Sequence, residues 1–290
     1  MTLQETHELS AGNYPGKTSS RDAEPFHLGM PHMNGSGVSH SWLLREACHW
    51  QWSSIAARFG VRPSQIRDMS GKRVMASVIA CTINGDATAF GEDDLCWLTH
   101  TCTPSPENGW RGQLDLTSDG KALRVEIVTA FAKRDGVSNT QLIPADMEDF
   151  LAPHRDGDEA RRTNLIRTLG KRDLLRARDD NEPPHMSFNI DSGSELNGVG
   201  LVYFSALQEL IAKSEANAVP DLGEGYPLNN RRVHFFGNLD AGDTLDVTSR
   251  ASVSSFTGQP SVIVQHHARR RSDARVIVCA ESIYGQPSYF

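Results

Sequence analysis

Residues Gly29 to Trp52 read GMPHMNGSGVSHSWLLREACHWQW, a glycine-rich turn running into an apolar, aromatic segment. From Ser39 onward, Trp42, Leu43, Ala47, Trp50, Ile55, Ala56 and Phe59 recur at helical intervals and Gly60 supplies a stop, which predicts one helix of about 20 residues. A helix apolar over so much of its surface needs cover on more than one side, as when a sheet wraps around it. Within the turn, Asn34, Gly35, Ser36 and Gly37 form an Asn-Gly-x-Gly unit. The unit returns as Asn197, Gly198, Val199 and Gly200 before a second apolar helix pattern that begins around Leu201. That recurrence points to a duplicated chain.

The flanking segments repeat in the same order. After the first helix, VMASVIACTI from Val74 is β-branched and reads as a strand, with Asn84-Gly85-Asp86 as a hairpin turn. The runs ATAF, LCWLTHTC, GQLDLTS and ALRVEIVTAFAKR follow as further antiparallel strands. A charged segment containing RRTNLIRTLGKRDLLRARDD reads as an exposed helix and linker. The second half then offers MSFNI, the glycine turn, the helix GLVYFSALQELIAK, and the strands RRVHFFGNL, TLDVTSRASVSS, SVIVQHHARR and RVIVCAESIYG. A long helix followed by antiparallel strands that must cover it, twice over, is the α+β pattern of a double hot-dog protein. An α+β sandwich with helices on one face is the alternative. The expected division is an unstructured segment at 1–25, a first hot-dog domain at 26–143, a linker at 144–184 and a second hot-dog domain at 185–290. Pairing of the two copies about a pseudo-twofold axis would form a site where they meet.

With 29 Lys and Arg against 36 Asp and Glu in 290 residues, the net charge of -7 removes the usual driving force for nucleic-acid binding. No apolar run of about 18 residues suggests a membrane span, and the N-terminus lacks a signal pattern, so a cytoplasmic protein is expected. Cys48, Cys81, Cys96, Cys102 and Cys279 contain no CxxC pair, and the histidines contain no HxxxH or HExxH spacing, so neither a disulfide framework nor a metal site is expected.

A glycine turn opening a helix presents backbone N–H groups and the positive end of the helix dipole, which suit a thioester carbonyl or a phosphate oxygen. Asn-Gly is also a common tight turn with no further role. On the functional reading, Asn34, Gly35, Gly37 and Val38 would supply donors in one copy and Asn197, Gly198 and Gly200 in the other. His32 would be the acid or base beside the first turn, and against this stands a turn histidine that satisfies backbone carbonyls. Alternation in SVIVQHHARR turns one of His266 and His267 inward. The clusters Arg269, Arg270, Arg271, Arg275 and Arg161, Arg162, Arg167, Lys171, Arg172 suit phosphates or an acidic carrier protein, and equally suit solvated faces. No GxSxG is present; Asp191 and Glu195 keep a carboxylate-driven dehydratase or thioesterase open, and a non-catalytic acyl-chain binder remains a third class.

The stretches GMPHMNGSGVSHSWLLREACHWQW, SELNGVGLVYFSAL and RRVHFFGNLDAGDTL resemble the LnmK-like bifunctional acyltransferase/decarboxylases of polyketide biosynthesis, over nearly the whole chain. The resemblance implies a double hot-dog enzyme that takes an acyl-CoA such as methylmalonyl-CoA, decarboxylates it and passes the acyl group to an acyl carrier protein. The CoA thioester would be substrate, with no cofactor. Backbone donors at a helix start would stabilise the enolate. The tyrosine that carries the acyl group in that family falls at Met75 here, in Val74-Met75-Ala76-Ser77, which leaves Ser77 and Thr82 as the nearby hydroxyls. Whether the internal pair suffices or a homodimer forms stays open.

Overall fold

The computed structural model describes residues 19–22, 24–105, 109–147, 158–191, 193, 195–219, 227–254 and 261–285. Strands β1 (Ser19–Asp22) and β2 (Phe26–His27) precede a small hairpin, β3 (Met33–Asn34) and β4 (Gly37–Val38), that holds the first glycine turn. Helix α1 (His40–Arg58) follows, and its N-cap Ser39 accepts from the Trp42 N–H. Next come β5 (Met75–Asn84), β6 (Leu95–Ser105), β7 (Gly109–Ser118), β8 (Lys121–Arg134) and the short β9 (Leu142–Pro144). Helix α2 (Asp158–Asp179) connects to the second half, which comprises β10 (Met186–Asn189), α3 (Phe204–Ala218), β11 (Leu228–Phe235), β12 (Thr244–Ser254), β13 (Ser261–Arg270) and β14 (Val276–Tyr284).

The strands form one antiparallel sheet whose order is β1-β6-β7-β8-β5-β11-β14-β13-β12-β10, with β2 beside β6 and β9 beside β8. Inside the outermost β1 and β10, and counting from the helix α1 or α3 of its own half, each side runs second, third, fourth and first strand inward. The first strands β5 and β11 pair in the middle, from Asn84 opposite Asn230 to Ala80 opposite His234. This is the duplication expressed as pseudo-twofold symmetry. On the inner face α1 buries Leu43, Leu44 and Ala47, α3 buries Leu207 and Ile211, and all share one core with Leu114, Ile127, Val233 and Val247. Each such large apolar side chain contributes about 1.5–3 kcal/mol on burial, and a second cluster around Ile55, Trp110 and Phe131 belongs to the first half alone.

Several expectations change in the folded chain. Residues 1–18 lie outside the described residues, but Ser19–Asp22 of the segment expected to be unstructured pairs with β6. Asn84-Gly85-Asp86 is no hairpin turn, because β5 and β6 are not neighbours. The ATAF run is a 3-10 turn at Ala87–Ala89, set by Asp86, whose Oδ1 accepts from the Thr88 N–H at 2.8 Å. The connecting helix is not simply exposed. Thr163, Gly170 and Ala177, seven residues apart, are buried, so α2 lies along the outer face of the sheet. Ser105 and Thr163 hydroxyls bond at 2.8 Å across that contact.

Candidate active site

The two central strands part at one end. Past Ala80 and His234 their pairing stops, and β5 carries a bulge between Val78 and Ala80. A cavity of about 1010 Å³ opens in this fork. Inward it reaches Cys48 and Trp52 of α1 and Phe204 and Leu207 of α3; outward it reaches Gly170 and Lys171 of α2. The second glycine turn, Asn197 to Val199, forms part of its wall.

Register sorts the walls. Ala76 lies opposite Phe131 and Val78 opposite Thr129, facing α1, whereas Ser77 opposite Ala130 and Ala80 opposite His234 face α2. His234 is therefore held on the outer face, 3 % exposed, under α2. Gly170 allows the close approach, since a Cβ there would stand 3.0 Å from the His234 Cδ2. The His234 Nδ1 lies 3.3 Å from Asp173 Oδ2, an ion-pair distance, and both ring nitrogens are buried without an aligned hydrogen bond among the described residues. Burial works to raise the Asp173 carboxyl, but His234, Arg232 and Arg172 together outweigh it and hold it below the usual carboxylate range. A carboxylate beside one nitrogen of an imidazole whose residue lines a cavity is a pairing that can support proton transfer.

The remaining polar groups of the rim hold the backbone in place. Arg134 Nη2 donates to Val199 O at 3.0 Å and to Asn139 Oδ1 at 2.6 Å. Asn139 Nδ2 in turn donates to Gly200 O at 2.6 Å and Leu239 O at 3.0 Å, which ties the β8–β9 loop of the first half to the glycine turn of the second. The N-terminus of α3 has no side-chain cap, and Tyr203 and Phe204 at that end line the cavity. Burial pushes the Cys48 thiol up, and a hydrogen bond from Tyr203 only partly offsets this, so Cys48 is no thiolate.

Solved structures share this architecture. A protein assigned as an oleoyl thioesterase from Lactobacillus plantarum superposes with a TM-score of 0.63 at 10 % identity, over 93 % of this chain and 95 % of that one. The 12:0-ACP thioesterase from Umbellularia californica gives 0.61 at 10 % identity, over 92 % and 93 %. An acyl-ACP thioesterase from Bacteroides thetaiotaomicron gives 0.55 at 10 % identity, over 92 % and 97 %. The chain has the double hot-dog fold. No protein-family model matches it and no curated protein matches it, so the LnmK-like resemblance is supported as far as the fold it implied and no further.

Within this double hot-dog the residues named from sequence divide between two places. Asn197, Gly198 and Ser77 line the cavity, with Met75 beside Ser77. Asn197 seals its own turn, its Oδ1 accepting from Val199 N–H at 3.0 Å and Leu201 N–H at 3.1 Å, with Gly200 at φ +77°. The first turn lies elsewhere. Asn34 Oδ1 accepts from the Ser36 N–H at 2.8 Å, Gly35 is exposed, Gly37 packs on Ala87, and Val38 is buried in the core. His32 Nδ1 accepts from the Gly29 N–H at 2.9 Å and its ring packs on Phe26 and Trp42. None of these first-turn residues lines the cavity. Thr82 lies in the paired stretch opposite Arg232. Arg269 donates to Ala177 O at the end of α2, and Arg270 pairs with Asp273 at 2.6 Å, so both guanidiniums are engaged within the protein. Asp191 and Glu195 bond within their own loop.

The symmetry-related fork is closed. Gly85 N–H donates to Asn229 O at 2.9 Å and Asn230 bonds Asn84. Behind it Arg231 pairs with Glu215, whose Oε1 lies 3.1 Å from His266 Nε2, and His266 Nδ1 lies 2.8 Å from Ser249 Oγ. Arg231 and His266 are thus the inward neighbours of Arg232 and His267, which face α2. One fork is thus closed over a buried polar network, and the other is open.

Proposed function

We propose that this protein is a thioesterase that hydrolyses an acyl thioester carried by CoA or an acyl carrier protein, in the cavity at the open fork. The observation carrying this reading is His234, which lines the cavity with its Nδ1 3.3 Å from Asp173 Oδ2. Support comes from the likeness to structures described as acyl-ACP and oleoyl thioesterases. In this reading His234 Nε2 takes a proton as a water oxygen bonds to the thioester carbonyl carbon. The first backbone N–H groups of α3 stabilise the oxyanion. Collapse breaks the C–S bond, and the imidazolium returns its proton to the departing thiolate. Asp173 holds the ring and stabilises its cationic form.

A second reading has its own observation. Ser77 lines the cavity on the same face as His234 and offers a hydroxyl two residues from Met75, the position that is tyrosine in the LnmK-like pattern. Acyl transfer or methylmalonyl decarboxylation in polyketide biosynthesis would run through it. Incubation with acyl-, malonyl- and methylmalonyl-CoA, and with the same groups on carrier protein, separates the two. Hydrolysis releases free thiol and the intact carboxylic acid; decarboxylation releases carbon dioxide and leaves a thioester. Absence of thiol release from every substrate would remove the hydrolytic reading. Among the described residues no helix is long and apolar enough to cross a membrane, and a cytoplasmic location belongs to this same proposal.

A further inference from the structure

The cavity has a charge polarity that hydrolysis alone does not require. Arg73 at the foot of β5, Arg167 and Lys171 on α2, and Arg275 between β13 and β14 line it, and among the described residues no Asp or Glu does. This runs against the net charge of -7 for the whole chain. Arg167 and Lys171 are four residues apart, so they share one helix face, and Gly170 between them brings that face down on His234. At the other end Cys48, Trp52, Val78, Phe131 and Leu207 make an apolar floor between α1 and α3. The cavity thus passes from cations on the α2 side, past the His234–Asp173 pair, to an apolar interior.

We infer that Arg167 and Lys171, with Arg73 and Arg275, bind the phosphate groups of the substrate's thiol arm, so that the thioester enters from the α2 side and its acyl chain extends between α1 and α3. Arg and Lys contribute differently. A guanidinium can take two phosphate oxygens at once, whereas an ammonium acts as a point charge. Arg167 is half-buried, and a charge less screened by water attracts an anion brought alongside it more strongly. The helix between the halves would then be the element that recognises the carrier, while the hot-dog strands hold the reacting bond. This inference rests on the thioesterase reading for what the arm carries, but phosphate binding itself needs no turnover.

Phosphate of this kind has two sources, the nucleotide phosphates of CoA and the phosphate of a pantetheine arm on carrier protein. Calorimetric titration of the full chain with CoA and with 4′-phosphopantetheine, at about 50 and 200 mM salt, distinguishes them. R167Q/K171Q is expected to weaken CoA at least tenfold and flatten its salt dependence, with R167K/K171R retaining most of the affinity. An equal loss for phosphopantetheine assigns the pantetheine phosphate; a loss confined to CoA assigns the nucleotide. In parallel, the ratio of kcat/KM for acyl-CoA to that for the phosphate-free N-acetylcysteamine thioester should fall at least tenfold in R167Q/K171Q. An unchanged CoA affinity in R167Q/K171Q, or no binding of either phosphate compound by the wild type, would overturn the inference. Loss of turnover on all substrates with CoA binding still sensitive to R167Q/K171Q would remove the hydrolase and leave the phosphate site standing.

Discussion

His234 Nδ1 stands 3.3 Å from Asp173 Oδ2, joining the central strand β11 of the second half to the helix that connects the halves. Because His234, Arg232 and Arg172 outweigh burial and hold the carboxyl below its usual range, Asp173 stays ionised through neutral and mildly acidic pH. Asp173→Asn keeps the shape and removes the charge that stabilises imidazolium. It should lower kcat about 10²-fold or more, with KM changed little. Steady-state thiol release measures this, and an Asp173→Asn enzyme with wild-type kcat would assign the carboxylate a packing role.

A different expectation concerns the two glycines of the first turn. A Cβ on Gly37, at φ +101°, would meet Ala87 O at 2.1 Å, whereas one on Gly35 meets nothing within 4 Å. Gly37→Ala should destabilise the fold by about 2 kcal/mol or more and Gly35→Ala by less than about 0.5 kcal/mol. Chemical denaturation gives both values. Equal values would mean that the hairpin, and not the contact with Ala87, sets the requirement for glycine.

The duplication was legible because its marks are local: an Asn-Gly-x-Gly unit and a helical apolar pattern, each present twice and followed by strands. Of the candidate site, the sequence offered only the expectation that it forms where the copies meet. Sequence could not rank the two forks, since Asn34 and Asn197 make the same kind of turn and only long-range pairing shows one end closed by Gly85 and Asn229. His234 was missed for a related reason. It is a single histidine in the strand RRVHFFGNL, 61 positions from Asp173, and what brings them together is α2 lying on the outer face. The seven-residue spacing of Thr163, Gly170 and Ala177 was the available signal, and the charges around it read as a solvated linker.

The closed fork predicts sensitivity to acid. Burial and then Arg231 push His40 down to about 3, against the opposing charge of Glu215, while Arg231 and His266 outweigh burial and pull Glu215 down to about 2. Both groups bind more protons when unfolded, His40 between about pH 6.5 and 3 and Glu215 between about 4.5 and 2. Stability is therefore full above about pH 6.5 and falls as pH is lowered, with the His40 part on the order of 3 kcal/mol by pH 4. Unfolding midpoints between pH 7 and 4 should drop steeply in the wild type and less steeply in His40→Phe. Parallel slopes would contradict the assignment.

Ser77 gives a test of the covalent alternative. Hydrolysis by activated water leaves no acyl-enzyme, so intact mass after mixing with acyl-CoA should show the unmodified chain, and Ser77→Ala should keep kcat within about threefold. A mass increase equal to the acyl group, lost in Ser77→Ala, would favour transfer through serine.

The most direct measurement compares thiol release from an acyl-CoA by the wild type and by His234→Ala, alongside CoA affinity for both proteins. His234→Ala is expected to lower kcat by about 10²–10⁴-fold while binding CoA within a few-fold of the wild type. Hydrolysis by His234→Ala at the wild-type rate would contradict the account.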